Sequence, residues 1–272
     1  MTEPGFTPVE IDTSRPHPAR LYDYYLGGKD NYAADREAGD QVLAVAPEAR
    51  DIARQNRAFL QRAVRFLVGE AGIRQILDIG TGIPTAGNVH EIAGAIAPST
   101  RVVYVDNDTI VHVHSNALLT GSGTTSVVLG DLREPAAILA HPKVRQLIDF
   151  GQPMALMLVA ILQFISDDED PAGIVATLRD ALPDGSYLVI SHGSSDFHKP
   201  ETVDKAASAY QRATAPLVLR SRPEIAAFFD GFDLIEPGLV QLPLWRPDGS
   251  HPVAERDLSK IAMYGGVGQR RS

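Results

Sequence analysis

No cysteine occurs in the 272 residues, which excludes disulfides, thiolate nucleophiles and cysteine-based zinc sites together. Positive charge is also scarce: 25 Lys and Arg face 34 Asp and Glu, for a formal charge of −9. A surface that tracks phosphates needs the opposite balance, so no nucleic-acid partner is expected. Long apolar runs are missing. The longest, "MALMLVAIL" at 154–162, has nine residues, about half of a bilayer span. The opening "MTEPGFTPVE" has neither the basic start nor the apolar stretch of a signal peptide. A cytoplasmic protein with no membrane contact is the expectation. What is present is ordinary for a globular chain. Hydrophobic residues make up 44%, enough for a core, and the length suits one large α/β domain with appendages.

Residues 1–18 are Pro-rich and polar, and read as an irregular lead-in. From Pro47 to Gly72 apolar residues recur at three- and four-residue steps, the mark of an amphipathic helix, with Arg50, Arg54, Arg62 and Arg65 assigned to its surface. Asn56 is the one polar residue on the apolar stripe. Short apolar runs then alternate with helical ones. Strands are expected at 75–80, 101–106, 126–131, 154–160 and 187–192, with helices over 86–97, 109–119 and 171–182. Continuous apolar strands between helices imply a parallel sheet covered on both faces. Beyond the fifth strand, 194–222 reads as an insertion with a helix at 201–213, followed by a short helix at 224–229. A strand over 232–242 and a last one at 260–265 complete the pattern, with Trp245 in the Pro-rich loop 243–252 between them.

The first strand ends in "LDIGTGIPT". A glycine-rich turn at this point of a doubly wound fold is where nucleotides bind. A dinucleotide fingerprint requires glycine at 85, where Thr85 stands. Asp78 precedes the turn; its carboxylate would repel a diphosphate and suits a ligand bearing an ammonium and a sulfonium, as S-adenosylmethionine (SAM) does. Gly80, Thr81 and Gly82 form the turn itself. Asp106, 24 residues after Gly82, has the spacing of an acid that accepts from ribose hydroxyls, with Asn107 beside it. Asp131 and Leu132, after the third strand, are placed for adenine, and Ala160 ends the fourth strand. Asp131 has a plain reading as a turn or cap residue, and the glycine signal one as a tight structural turn; three acids at the ends of three successive strands make a pattern.

The runs "LDIGTG", "VVYVDND", "VVLGDL" and "YLVISH" resemble a class I SAM-dependent methyltransferase. "ARLYDYYLGGKDNYAADRE", "NRAFLQRAVRFL" and the closing "YGGVG" are similar to an actinobacterial S-adenosyl methyltransferase family first catalogued as a domain of unknown function, from about Pro18 to Gly268. The resemblance implies an α/β Rossmann-like, doubly wound, seven-stranded sheet with an N-terminal helical cap, residues 1–72 as lid and cap on a core of 73–272. It implies SAM as cofactor and leaves the acceptor open. The residues after strand four lack the Asn/Asp-Pro-Pro-aromatic element of amino-methylating DNA enzymes, and Gln163 stands where small-molecule enzymes often carry histidine. A small-molecule acceptor is therefore expected. A non-catalytic SAM-binding regulator and an NAD-type oxidoreductase are the rival readings, and a homo-oligomer is left open.

Four of the eight tyrosines fall in "LYDYYLGGKDNY", residues 21–32. This segment is expected to close over the cofactor, with Tyr22 and the Gly27–Gly28 bend against the ligand and Tyr25, a candidate catalytic residue, on the acceptor side. Asn56 and Arg57 are expected at the methionine end of the cofactor, the guanidinium meeting the carboxylate. His192, ending strand five, is the candidate base, with a supporting hydrogen-bonded histidine as its plain alternative. No metal site is expected.

Overall fold

The computed structural model describes residues 12–85, 87–119, 123–210 and 213–271; most of the lead-in 1–18, the first residue of the expected helix 86–97 and part of that at 201–213 lie outside them. The fully buried runs become the expected parallel strands: β1 (Gln75–Ile79), β2 (Arg101–Asp106), β3 (Thr125–Leu129), β4 (Ala155–Val159) and β5 (Tyr187–Gly193). Among the described residues the sheet has eight strands, one more than expected, in the order β3-β2-β1-β4-β5-β8-β6 with β7 also on β8. The additional strand arises because the run 232–242 is broken by a turn at Pro237–Gly238 into β6 (Phe232–Leu234) and β7 (Val240–Gln241). All pairs from β3 to β5 are parallel, and β8 (Met263–Arg270) runs antiparallel to β5. Strand order reverses between β1 and β4, and at that switch point the strand ends leave a crevice.

β8 is longer than its expected 260–265 because its glycines are spaces for neighbouring side chains. A Cβ on Gly265 would sit 2.9 Å from the Phe59 ring and 2.8 Å from Leu242. Glycine normally weakens a strand; here it admits the rings of the helix packed on it.

The helices α1 (Pro18–Leu26), α2 (Ala33–Val45) and α3 (Ala49–Arg65) precede the sheet. A π-helical turn at Phe66–Glu70 extends α3. Following β1 come α4 (Val89–Ile96), α5 (Thr109–Leu119), α6 (Pro135–Ala140), α7 (Pro142–Leu147), α8 (Pro171–Asp180), α9 (Pro200–Ala209) and α10 (Arg222–Ala227). The separate helices α1 and α2 within the expected helical cap were not foreseen, nor were α6 and α7. Phe59, Ala63 and Val64 of α3, with Leu67 of the π-helical turn, join Ile76, Val102 and Val189 in one hydrophobic cluster, so α3 is a layer on the sheet. The opposite face packs α6, α7, α8 and α10 through Ile138, Val144, Leu178 and Ile225. A third, smaller cluster joins Leu21, Tyr25, Ala38 and Val42 to Ala53 and Tyr210, and holds α1 and α2 above the strand ends.

One expectation for this region is corrected. Arg62 is not a surface arginine. It is buried, donating from Nε to the Trp245 carbonyl at 2.8 Å and from a terminal nitrogen to that of Leu242 at 2.7 Å. Trp245 is fully buried, packed edge-on against Phe59 and Phe66. The charge at the end of a long apolar stem satisfies two carbonyls that would otherwise be lost inside.

Candidate active site

A cavity of about 420 Å³ lies between the carboxyl ends of β1, β2 and β4 and the cap of α1 to α3. Its floor is the turn after β1. Gly80 has φ +77°, and a Cβ there would stand 2.5 Å from Ile161, so only glycine fits. The amides of Gly80 and Thr81 donate to the Val105 carbonyl at 2.8 and 3.3 Å, pinning the turn to β2. Gly82 donates to one oxygen of Asp106 at 2.8 Å, and Asp108 donates its amide to the other at 2.9 Å. The Asp106 carboxylate is thereby fixed in orientation, and each oxygen keeps a free lone pair. Burial nevertheless raises its pKa, the two amides offsetting part of the effect.

Asp78 is buried beside the turn. Desolvation pushes its carboxyl up to about 7, the Arg57 charge countering and the Asp106 charge adding to the shift. Arg57 donates to the Gly87 carbonyl and to Asn88 Oδ1 at 3.2 and 2.9 Å, while its buried Nε has no partner. A buried acid near neutrality and an arginine with an unmet donor are complementary to an amino acid's ammonium and carboxylate. Asp131 accepts from the Asn107 amide at 3.0 Å and the Arg133 backbone at 2.9 Å; burial alone would raise its pKa, but these bonds hold it below the usual range. Ala160, at the end of β4, has φ +56° and presents its backbone to the cavity.

The structure thus brings Asp78, Gly80, Thr81, Gly82, Asp106, Asn107, Asp131, Leu132, Ala160, Tyr22, Tyr25, Asn56 and Arg57 to one cavity. Tyr22 accepts from Asn56 Nδ2 at 3.0 Å and donates to the Ala53 carbonyl at 3.0 Å. Tyr25 faces Tyr210, hydroxyl to hydroxyl at 3.4 Å, and burial drives its pKa far above the ordinary phenol value, so it is a neutral wall.

Two candidates are corrected. Gly28 does not touch the cavity: Gly27 ends α1 in a left-handed cap, and the Cβ position of Gly28 lies 1.9 Å from the Asp23 carboxylate. The glycine pair closes a helix end around Asp23, which also accepts from Asp30 and Asn31. His192 is likewise outside. Its Nδ1 meets the Gly193 carbonyl at 2.7 Å, Nε2 meets Arg220 at 3.0 Å, and the ring stacks on Phe228. Burial holds its pKa at about 4. Nδ1 donates and Nε2 accepts from the guanidinium, so no lone pair remains for a substrate proton. Here the supporting-histidine reading holds. Sequence reasoning missed Glu48, Phe164, His198 and Tyr210, which wall the cap side of the cavity. Glu48, an acid at the start of a helix, carries no distinguishing signal in the sequence; a lone tyrosine in the polar helix at 201–213 was the available signal for Tyr210.

Comparison with known proteins settles the family. Residues 5–271 match the S-adenosyl methyltransferase family. The chain belongs to it. A crystal structure of a DUF574 family protein from Streptomyces avermitilis is 46% identical over 96% of this chain and 100% of that one, with a TM-score of 0.91. A Thermobifida fusca protein assigned as a methyltransferase is 41% identical over 98% and 99%, also at 0.91. The N-methyltransferase NodS from Bradyrhizobium japonicum, in complex with S-adenosyl-L-homocysteine (SAH), is 10% identical over 87% of this chain and 98% of that one, and shares the fold at a TM-score of 0.50. No curated protein matches. The fold is that of the class I methyltransferases, and this member is a SAM-dependent methyltransferase with SAM as cofactor. The oxidoreductase and the non-catalytic readings are set aside.

Proposed function

We propose that this methyltransferase acts on a small, largely apolar acceptor held in the cap-side half of the cavity. The observation that carries the reading is the division of one continuous space into two chemistries. At the strand ends stand Asp78, Arg57, Asp106 and Asp131, the charged set suited to a nucleoside-linked amino acid. Under the cap the walls are apolar and aromatic, with Tyr25, Val42, Phe164, Tyr210 and Leu217. Asp78 would hold the cofactor's ammonium, Arg57 its carboxylate, Asp106 its ribose and Asp131 its adenine.

Bound, SAM supplies a methyl group activated by its sulfonium. The residues then do what proximity requires: Gly80 and Ala160 let the backbone approach, Tyr22 and Tyr25 roof the site, and the apolar walls exclude water. Such a chamber admits a molecule of limited size and excludes a folded macromolecule's surface. The test is calorimetry with SAM, SAH and NAD, followed by transfer of labelled methyl from SAM to a panel of aromatic amines, phenols and carboxylic acids. The reading expects SAM and SAH to bind, NAD not to, and at least one apolar acceptor to be labelled. Labelling confined to protein or nucleic-acid substrates would defeat it.

A further inference from the structure

The cap-side half of the cavity is walled largely by apolar and aromatic residues, and at one edge of it the ionisable pair Glu48 and His198 face each other with Nε2 to Oε1 at 3.5 Å. Glu48 sits at the N-cap position of α3, where an acidic side chain ordinarily accepts from the helix's free amides. It makes no such bond. His198 lies in the insertion just before α9. Their side chains are 16% and 21% exposed, and neither has a hydrogen bond to another described residue. At 3.5 Å each side chain retains capacity for a third group, and the cavity is the space both border.

We propose that Glu48 and His198 recognise the one polar, proton-bearing group of an otherwise apolar aromatic acceptor, a hydroxyl or amine, and receive its proton on transfer. This rests on the acceptor reading above. Phe164 and Tyr210, with ring centroids 5.9 Å apart, together with Tyr25 offer flat apolar surface for a ring. The acceptor's oxygen or nitrogen lone pair forms the new bond to the methyl carbon. The carbon–sulfur bond breaks with its electron pair moving to sulfur, and the proton left on the acceptor passes to the Glu48–His198 pair. No further co-reactant is needed. His192 cannot serve, since both ring nitrogens are engaged.

The experiment uses the full-length protein saturated with SAH and two probes of matched shape, 2-naphthol and 2-methylnaphthalene, with calorimetric titration of each. The wild type should bind 2-naphthol about tenfold more tightly than the methyl compound, the difference a hydrogen bond to a charged group makes. Glu48→Gln and His198→Gln should each reduce the preference below about threefold and leave SAH affinity within about twofold, which also certifies the fold of each variant. Two separate variants guard against one failing to fold. Equal binding of the two probes by the wild type, or an undiminished preference in both variants, overturns the assignment. Failure of the wild type to bind SAH at all would overturn the cofactor placement and this assignment with it, and is distinguishable because it appears before any probe is added.

Discussion

Lowering the pH from 7.5 to 5.5 should weaken SAH binding by about 25-fold through the protonation of Asp78. The carboxyl sits at about 7 in the free protein because burial strips its water and the Arg57 charge compensates only in part. An ammonium beside it requires the ionised form. With a pKa of about 7, the ionised fraction is roughly 0.76 at pH 7.5 and 0.03 at pH 5.5, a ratio of about 25, or ~1.9 kcal/mol at 1.36 kcal/mol per decade. The sign is fixed by the direction of the shift. An acid whose pKa is raised on folding favours the proton-bound native state, so this group's contribution to stability declines as pH climbs from about 4 to about 7, while cofactor affinity rises over the upper part of that range. Calorimetric titration with SAH at half-unit intervals would trace the curve. Asp78→Asn should bind weakly at pH 7.5 and vary less than about threefold across the range. A wild-type affinity flat within about threefold, or a slope in Asp78→Asn as steep as that of the wild type, would refute the reasoning.

Asp106→Ala should weaken SAH by roughly 2–4 kcal/mol, two charge-assisted bonds at about 1.5 each with the Gly82 anchor lost besides; an affinity within threefold of wild type would show the ribose is held elsewhere. His192→Gln tests a structural role. The histidine folds neutral with its pKa at about 4, so its stabilisation is complete above about pH 6.5 and is lost as pH falls towards about 4, on the order of 3 kcal/mol. Denaturant titrations should show that acid sensitivity shrinking in the variant, with methyl-transfer pH dependence unmoved. Hydrogen exchange across residues 17–26 should slow when SAH binds, more than in 243–252, which borders no part of the cavity; equal protection in both segments would mean α1 is packing and not a lid.

Much of the site was legible because a parallel sheet buried on both faces writes itself as uninterrupted apolar runs, and the residues that end those runs are delivered to one edge. Asp78, Asp106 and Asp131 needed only that rule. His192 misled because adjacent strand residues point to opposite faces. Ser191 faces α3 and bonds Asn56 at 2.6 Å, so His192 turns to the other face, into Arg220 and Phe228. Neighbourhood along the chain suggested a base; alternation determines a support. Gly28 misled for a related reason. A glycine pair signals a bend, but the bend serves the end of α1 and the Asp23 carboxylate, which only the cap's tertiary arrangement supplies. Glu48 and His198, 150 residues apart in the chain, carried no local pattern at all.

Asn56 is where cap and sheet become one unit. It interrupts an apolar stripe on α3, yet it is buried with every polar atom engaged. Its Oδ1 accepts from Ser191 on β5 at 2.6 Å, and its Nδ2 donates to Tyr22 on α1 at 3.0 Å. Tyr22 in turn donates to the Ala53 carbonyl. Lifting α1 away would break the Asn56–Tyr22 and Tyr22–Ala53 hydrogen bonds, a cost of about 0.5–1.5 kcal/mol each. That cost, together with the apolar contacts of Leu21 and Tyr25, makes the closed cap the resting arrangement of the protein. It is still small beside the stability of a domain this size, which is why we propose that the roof opens on its own while the sheet stays folded, as the exchange experiment tests. A methyltransferase needs both properties: a chamber formed before the ligand arrives, to keep water from the transfer, and an entrance that does not unfold the strands carrying Asp78 and Asp106.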